Sequence, residues 1–509
     1  MAILQNLVLQ SDQRHLGVVT AAVFLSAYAL YRHESKKELG NECPTVPYTN
    51  PMFGSTDEYR KNPAAFVEKW SAALGPVFRV HIFGRMQTVV SGRYVREVLF
   101  NDNFSFVEGI RTRFDLRLLT GIPNSHLNDK DVREVVVKSL TAQMKKYTPR
   151  AVHYLSVGLQ EALGDLKDPR TLDNLFLTVQ NMVAKASASI FVGEELCNNI
   201  ELVDTFKHVT SDIGSEIRLD NTWLEFFKTI NQIRMWYVGK HSPRVTKHRR
   251  QLIQAMAPEI DRRLQGLAGN DPSWTRPEDI LQEIMENYPS PSTVPADIYT
   301  YYANWMIVLI FASVHTTTEH ATIVLYRLLQ QPELIDELLQ EQKEALGQGT
   351  VFTGEVIRKL VKLDSVCRES LRIKNEYFGL PHRNMSHENI SLSNGVVIKP
   401  GDNVMLNVWT NHHDSDLQKD VHGNHDKFEP FRYVNADRPA TKIGDDYLIF
   451  GEGKHACPGR WFALQEIKTI VSVLIRDYTL TPCGPIVFPS GTSTGIPSGE
   501  VTIQRKSEV

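Results

Sequence analysis

Cysteine is scarce: five residues in 509 (Cys43, Cys197, Cys367, Cys457 and Cys483), odd in number, scattered, and nowhere paired as Cys-x-x-Cys. That pattern excludes a disulfide framework and a paired-cysteine zinc site, and it fits a reducing compartment. Charge of either sign is in no excess, with 56 basic against 59 acidic residues and a net charge of −3, which argues against nucleic acid as a partner. Internal repeats and low-complexity segments are missing as well. What remains is ordinary globular material, 42% hydrophobic and long enough for a large core; length alone would suggest two to four domains.

The segment Leu16 to Tyr31 is a sixteen-residue uncharged apolar run. It is a little short for a span, which needs about 20 residues, although the endoplasmic reticulum bilayer is thinner than average. Ala27-Tyr28-Ala29 would suit a cleaved signal. The positive charges, however, mostly follow the run (Arg32, Lys36, Lys37) and only Arg14 precedes it, which favours a retained anchor with the body in the cytosol. The expected layout is a short luminal segment 1–15, a single-pass anchor 16–31, a linker 32–52 stiffened by Pro44, Pro47 and Pro51, and one folded body 53–509. With that topology the sequons at Asn103, Asn384 and Asn389 stay unoccupied.

Along the body, Val77–Val90 reads as a small hairpin around Gly84-Arg85, and helical periodicity dominates from there to about residue 370. The turn-rich stretch Phe104–His126 interrupts it. Aromatics crowd Trp223–Tyr237, which reads either as core or as an amphipathic surface. Tyr301–Leu329 is the longest helical candidate; its apolar run Trp305–Ala312 is too short to span a bilayer and so reads as a helix through the protein centre. Straight after come Thr316, Thr317 and Thr318, poor helix formers whose hydroxyls can bond back to carbonyls and distort the turn. Glu355–Arg372 is helical with Glu369 and Arg372 on one face. A β pattern follows at Ile390–Leu392 and Gly395–Ile398, and Ile486–Val501 reads as a closing hairpin. The fold class expected is mainly α with small β-sheets.

The chemistry concentrates in Phe450-Gly451-Glu452-Gly453-Lys454-His455-Ala456-Cys457-Pro458-Gly459-Arg460. Pro458 suits a first helical position, which would put Cys457 at a helix N-terminus, where the dipole favours a thiolate. Gly451, Gly453 and Gly459 leave room for something flat against the backbone. The spacing Phe-x-x-Gly-x-x-x-Cys-x-Gly, with Glu369-x-x-Arg372 lying 88 residues before the cysteine and Phe428-x-Pro430-x-Arg432 between them, resembles the cytochrome P-450 family, and particularly its membrane-anchored fungal members. Ala312-Ser313-Val314-His315-Thr316-Thr317 resembles the family's oxygen-binding stretch, with Ser313 in place of glycine and His315 in place of an acid.

That resemblance implies a triangular helical prism enclosing haem b. Cys457 would be the axial iron ligand. Phe450, Gly451, Gly459 and Ala312 would lie against the haem, and Arg383, His455 and Lys138 would meet its propionates. Thr316, helped by His315, would guide protons to oxygen. Glu369, Arg372 and Arg432 would brace the cysteine loop. It further implies O2 as co-substrate, and electrons from NADPH through a flavoprotein reductase, cytochrome P-450 reductase, with cytochrome b5 as an optional second donor. The reductase would dock on a basic face formed by Lys138, Lys145, Lys146, Lys454, Arg460 and Lys468. The expected protein is a monomer in the endoplasmic reticulum membrane that hydroxylates an apolar small molecule. Terpenoids or steroids are the first expectation, in a pocket drawn from Phe104, Phe106, Phe114, Phe311, Ala312, Phe378, Leu380 and Pro489. Trp223–Tyr237 would dip into the bilayer. His412-His413-Asp414 matches a structural stretch of the family rather than a metal site.

Three other readings compete. A reductase-independent haem-thiolate isomerase or dehydratase would not need Thr316, and a non-catalytic haem sensor would not need an apolar distal helix. A cysteine hydrolase built on Cys457 lacks a His/Asn partner set in the sequence.

Overall fold

The computed structural model describes residues 43–123, 126–217, 222–489 and 495–506. The anchor expected at 16–31 lies outside the described residues, as do most of the linker and Gly491 of the tail. The linker's end is not free chain. Cys43 and Val46 are buried, Thr45 bridges Arg79 in parallel, and Val46 N donates to Arg79 O at 2.9 Å. The folded body therefore already includes residue 43, ten residues before the expected boundary, because Val46 has an apolar slot to fill beside Phe78 and Val80.

Helices dominate. One large apolar cluster joins the antiparallel-packed helices Met144–Leu163 and Phe176–Phe191 to a central helix, Pro295–Gln330, and to a helix that follows the cysteine, Arg460–Asp477. Pro295 opens the central helix at a position where its missing N–H costs nothing. Pro332 follows its end, and proline cannot continue a helix. At 36 residues it is about 54 Å long. Trp305, Met306, Ile307 and Ile310 are buried, so its apolarity on all sides is that of a core helix. By length and composition this helix alone, among the described residues, would suffice to cross a membrane, and 61% of its apolar window is buried inside the protein.

Its hydroxyl residues bond back as their chemistry predicts. Ser313 donates to Leu309 O (2.9 Å), Thr316 to Ala312 O (3.0 Å) and Thr318 to Val314 O (2.7 Å). The helix nonetheless stays α throughout, so the expected distortion is limited to these bonds.

The strands are β1 (Val77–Ile82), β2 (Arg85–Val90), β3 (Phe104–Ser105), β4 (Arg170–Leu172), β5 (Phe378–Asn384), β6 (Ile390–Ser391), β7 (Val397–Ile398), β8 (Asn403–Asn407), β9 (Tyr478–Pro482) and β10 (Val501–Arg505). They form a five-stranded sheet in the order β1-β2-β8-β5-β3, a three-stranded sheet β4-β10-β9, and the pair β6-β7. The hairpin expected at Val77–Val90 is present. Its two-residue loop, Phe83-Gly84, takes positive φ at both positions, the geometry whose twist matches the flanking strands. Val487 pairs with Ser498 in the tail, as a closing hairpin requires.

Between helices the chain holds one irregularity that periodicity does not reveal. Helix Asp129–Val135 runs into a π-helical turn, Val136–Thr141. Such turns are rare and cluster at functional sites. Here the turn faces the cysteine loop, and Thr141 Oγ1 donates to Pro458 O at 2.9 Å.

Candidate functional site

The cysteine loop is set by its glycines. Gly451 and Gly453 take φ of +62° and +65°. A Cβ on Gly453 would stand 2.5 Å from Leu99 O, so only glycine fits there. Cys457 N donates to Phe450 O at 2.7 Å and closes the loop. The helix begins at Arg460 with Gly459 as its N-cap, so Pro458 precedes the helix instead of opening it. Cys457 still profits from the helix start: the N–H groups of Gly459 and Arg460 both point at its sulfur. Burial nevertheless pushes the thiol up, outweighing those N–H groups and the charges of Arg460 and Arg133. A bound cation would reverse that balance, because a coordinating thiol is deprotonated outright.

Behind the loop stands the brace. Arg372 Nε and Nη2 reach the two oxygens of Glu369 at 2.7 and 2.8 Å, and Arg432 Nε reaches the same carboxylate at 3.1 Å. All three side chains are fully buried. The remaining guanidinium N–H groups are spent on the carbonyls of His412, His425, His422 and Asn424. A buried ion cluster persists only when satisfied in this way. His412 extends the brace to the loop: Leu448 N donates to its Nε2 at 2.8 Å, so its Nδ1–H donates to Arg372 O at 2.8 Å. Its neighbours are structural too. His413 stacks on Trp409, and Asp414 caps the turn that follows. Arg368, which sequence reasoning passed over, is fully buried and ties the Pro439 and Lys442 carbonyls to Asp446.

Cys457 opens into a cavity of about 400 Å³. The central helix supplies Leu309, Ala312, Ser313, Thr316, Thr317 and His320; the cysteine loop supplies Phe450, Gly451, Glu452, His455 and Gly459; the π turn supplies Val136 and Leu140. Ala312 and Thr316 are exposed although they sit mid-helix in the core, and the surface they expose faces this cavity. A larger groove, about 820 Å³ and lined by Lys145, Arg358, Trp461 and Lys468, reaches neither Cys457 nor Thr316.

Several expected residues fall elsewhere. Arg383 does not line the cavity. Strand alternation turns it outward beside Gly401 and sends its neighbour His382 inward. His382 Nδ1 is held by Leu380 O at 2.7 Å, while its buried Nε2 has no partner. Its ring lies 5.7 Å from that of His455. Lys138 lies on the solvent side and pairs with Glu134. His315 is also outside the lining and rests edge-on against Phe176. Of the expected pocket residues, Phe106, Ala312 and Leu380 line the cavity; Phe104 and Phe378 belong to the sheet's core, Phe114 and Phe311 pack against the main core, and Pro489 borders a separate small cavity. The basic face shrinks likewise. Lys468 is buried against Asp364, Arg460 turns inward to Cys457 O, and Lys146 and Lys454 pair with Glu278 and Asp102. Arg133 joins the loop by donating to Ala456 O at 2.7 Å.

A mostly helical body closed over a buried slot with a single cysteine in its wall is the arrangement of a haem-thiolate protein. The family comparison agrees: the cytochrome P450 family model matches residues 44–500, and the chain belongs to that family, a family of oxidoreductases that use haem and O2. Among curated relatives, the cytochrome P450 monooxygenase AN1598 of Emericella nidulans is 29% identical over 65% of this chain and 63% of its own length. The chain thus spans under two thirds of that relative. The cytochrome P450 monooxygenase BOA4 of Botryotinia fuckeliana is 24% identical over 91% of this chain and 90% of its own length, and paxP of Penicillium paxilli is 27% identical over 77% and 74%. Among solved structures, a retinoic acid-bound cyanobacterial CYP120A1 superposes with a TM-score of 0.65 at 20% identity, covering 91% of this chain and 99% of that one, which supports the fold.

The residues present fit an iron porphyrin. The slot offers one soft sulfur donor, apolar walls, a Gly459 whose missing side chain leaves only Val136 Cγ1 nearby at 3.7 Å, and an unpartnered buried imidazole nitrogen on His382.

Proposed function

We propose that this protein is a haem-thiolate monooxygenase that hydroxylates an apolar small molecule with O2, taking electrons from NADPH through a flavoprotein reductase. The observation that carries the proposal is that Cys457 and Thr316, 141 positions apart in the sequence, line one cavity with apolar walls. Haem b, when bound, supplies the oxygen activation, and thiolate donation favours cleavage of the O–O bond. The chain's own part is to ligate through Cys457, to seat the carboxylates beside His382 and His455, and to present Thr316 Oγ1 to the oxygen side. Glu369, Arg372, Arg432 and His412 keep the cysteine loop from moving, and the apolar walls exclude water.

The substrate class we favour is a terpenoid or steroid. The lining supports this: Leu99, Phe106, Val135, Leu140, Phe191 and Leu380 give a large hydrocarbon many contacts, and the one carboxylate in the lining, Glu452, is already paired with Arg96. Anchoring in the endoplasmic reticulum membrane through residues 16–31 is part of the same reading. Trp223, Ile230, Ile233, Trp236 and Tyr237 are exposed, and the ring of Trp223 meets Phe53, which gives an apolar surface suited to a bilayer interface.

The test is spectral. The reduced carbon monoxide complex of the purified protein should show the Soret band of a thiolate-ligated haem, and Cys457→Ser should lose it; an unchanged band in the variant would remove Cys457 as the ligand. A panel of terpenoids, steroids, fatty acids and aromatic alkaloids, read by the spin-state shift on binding, then ranks the substrate classes.

A further inference from the structure

Thr316 cannot act as a proton donor by itself. Its hydroxyl proton is committed to Ala312 O (3.0 Å), with Ser313 O at 3.3 Å, and Ser313 spends its own on Leu309 O. Toward the cavity Thr316 Oγ1 offers lone pairs, so a donor must come from elsewhere. The resembled oxygen-binding stretch carries an acid just before the threonine; this chain has His315 there, and His315 faces away from the cavity.

One turn further along the helix is His320. Residues four apart on a helix are neighbours, with Cβ atoms about 5–6 Å apart. His320 is the one titratable side chain of the central helix, among the described residues, that lines the cavity. Its Nε2 lies 3.3 Å from Lys374 Nζ. An ammonium has three donors and no acceptor, so Nε2 accepts and the neutral ring carries its proton on Nδ1. Lys374 is held in turn by Glu319 Oε1 at 2.8 Å. Burial, then the charge of Lys374 and the nearby His315, keep His320 well below the ordinary histidine range. Burial also raises Glu376, which Lys374 pulls down and Glu319 pushes up. The groups facing the pair are therefore His315, Glu319 and Glu376, gathered round a single ammonium. On its far side Lys374 borders a small cavity of about 10 Å³ with Arg327, Asn375 and Pro489, close to the size that holds one water.

We propose that Lys374 and His320 form the proton relay to the oxygen side of the cavity, in the role left open by the missing acid at position 315. A Lys374 Nζ–H bond breaks as Nε2–H forms on His320. The ring, now carrying N–H at both nitrogens, turns about its side-chain bond; Nε2–H breaks as that proton passes into the cavity toward Thr316, and the ring turns back with Nδ1–H kept. The neutral lysine amine regains a proton from solvent hydronium. One proton crosses per cycle, and the electrons and oxygen are those of the monooxygenase reaction. The relay rests on the proposed monooxygenase function.

The experiment compares His320→Leu, Lys374→Met, Lys374→Arg and His315→Gln with the unaltered full-length protein, all haem-loaded and supplied with reductase, NADPH and a substrate that gives a spin-state shift. The peroxide share of the electrons should rise several-fold, and the H2O/D2O rate ratio should increase, in His320→Leu and Lys374→Met. Lys374→Arg keeps the charge but holds its protons, so it should match Lys374→Met, and His315→Gln should move neither. A readout independent of turnover is the C–O stretch of the reduced carbon monoxide complex, which senses a hydrogen-bond donor beside the ligand and should shift in His320→Leu. Unchanged peroxide share and isotope ratio in both His320→Leu and Lys374→Met, with the thiolate Soret band intact, would overturn the relay while leaving the function standing. Loss of that band in the unaltered protein would overturn both. Should His320→Leu fail to load haem, Lys374→Met decides, because Lys374 lies outside the haem cavity.

Discussion

Arg432 and Arg372 share one carboxylate: Glu369 Oε1 accepts from Arg432 Nε at 3.1 Å and from Arg372 Nη2 at 2.8 Å, with no side chain of the three exposed. Two buried guanidinium charges thus share a single buried acid, with the partly exposed Glu429 adding only a 3.5 Å contact to Arg432. Glu369→Gln keeps the shape and removes the charge, which leaves both arginines underpaired. Breaking a buried pair costs about 3–5 kcal/mol. The expected outcome is a urea midpoint lowered to match and a preparation with little bound haem, since the same arginines hold the carbonyls of His412, His422 and His425 behind the loop.

His412 predicts an acid limb in stability. It is fully buried, it holds Leu448 N, and burial, with smaller contributions from His413, Arg372 and Arg368, lowers its pKa to about 3 against an upward pull from its bond to Arg372 O. The folded value lies below the unfolded one, so as pH falls the unfolded chain takes up the proton first. The stabilising contribution is whole above about pH 6.5 and is lost progressively toward pH 3. At 1.36 kcal/mol per unit this is on the order of 4–5 kcal/mol. His412→Gln should be less stable at pH 7.5 and should show a flatter fall in stability between pH 6.5 and 4. The difference between the two pH profiles, taken by denaturant titration, isolates His412 from the other buried histidines.

Much of the site was legible because it is local in sequence. The loop from Phe450 to Gly459 declares itself through glycine spacing, and the structure gives Gly451 and Gly453 a reason in their positive φ, while Gly459 keeps its surroundings open. The brace was legible because two charged motifs had to be buried together or not at all. Residues whose role depends on which way a side chain faces were harder. Arg383 and His382 are adjacent, and only the pairing of β5 with β3 and β8 decides which points inward; a one-residue shift of register exchanges them. His320 was within reach of sequence reasoning. Ala312, Thr316 and His320 are spaced i, i+4, i+8 and so share a face, whereas His315 lies about 100° round the helix from Thr316. Motif matching drew attention to the adjacent residue, and periodicity points to the one that lines the cavity. Nothing in the sequence signals the π turn at Val136–Thr141, whose Thr141 bonds to Pro458 O across the cysteine loop.

Gly453 offers a test of the loop's backbone. At φ +65° a side chain costs about 1–2 kcal/mol, and the Cβ of an alanine would collide with Leu99 O at 2.5 Å. Gly453→Ala should therefore displace the loop, lower the thermal midpoint and reduce haem retention. Gly484→Ala is the matched control. That glycine is exposed with nothing within 4 Å of its would-be Cβ, and its substitution should change stability by no more than about 0.5 kcal/mol.

The three sequons separate topology from accessibility. Asn384 is buried, its amide donates to Ile398 O at 3.1 Å, and its Oδ1 accepts from Ser386 N at 2.9 Å. A glycan on that amide nitrogen would displace the bond to Ile398 O and has no exit, so Asn384 should remain bare whichever side of a membrane the body occupies. Asn103 and Asn389 are exposed. If the body is cytosolic, peptide mapping of the protein from its native membrane finds all three unmodified. If the same chain is driven into the secretory lumen by a cleavable signal in place of residues 1–31, Asn103 and Asn389 should acquire glycans and Asn384 should not. Glycans on Asn103 or Asn389 in the natively targeted protein would place the body in the lumen and overturn the cytosolic orientation, and a glycan on Asn384 in either form would contradict the packing of β5 against Ile398.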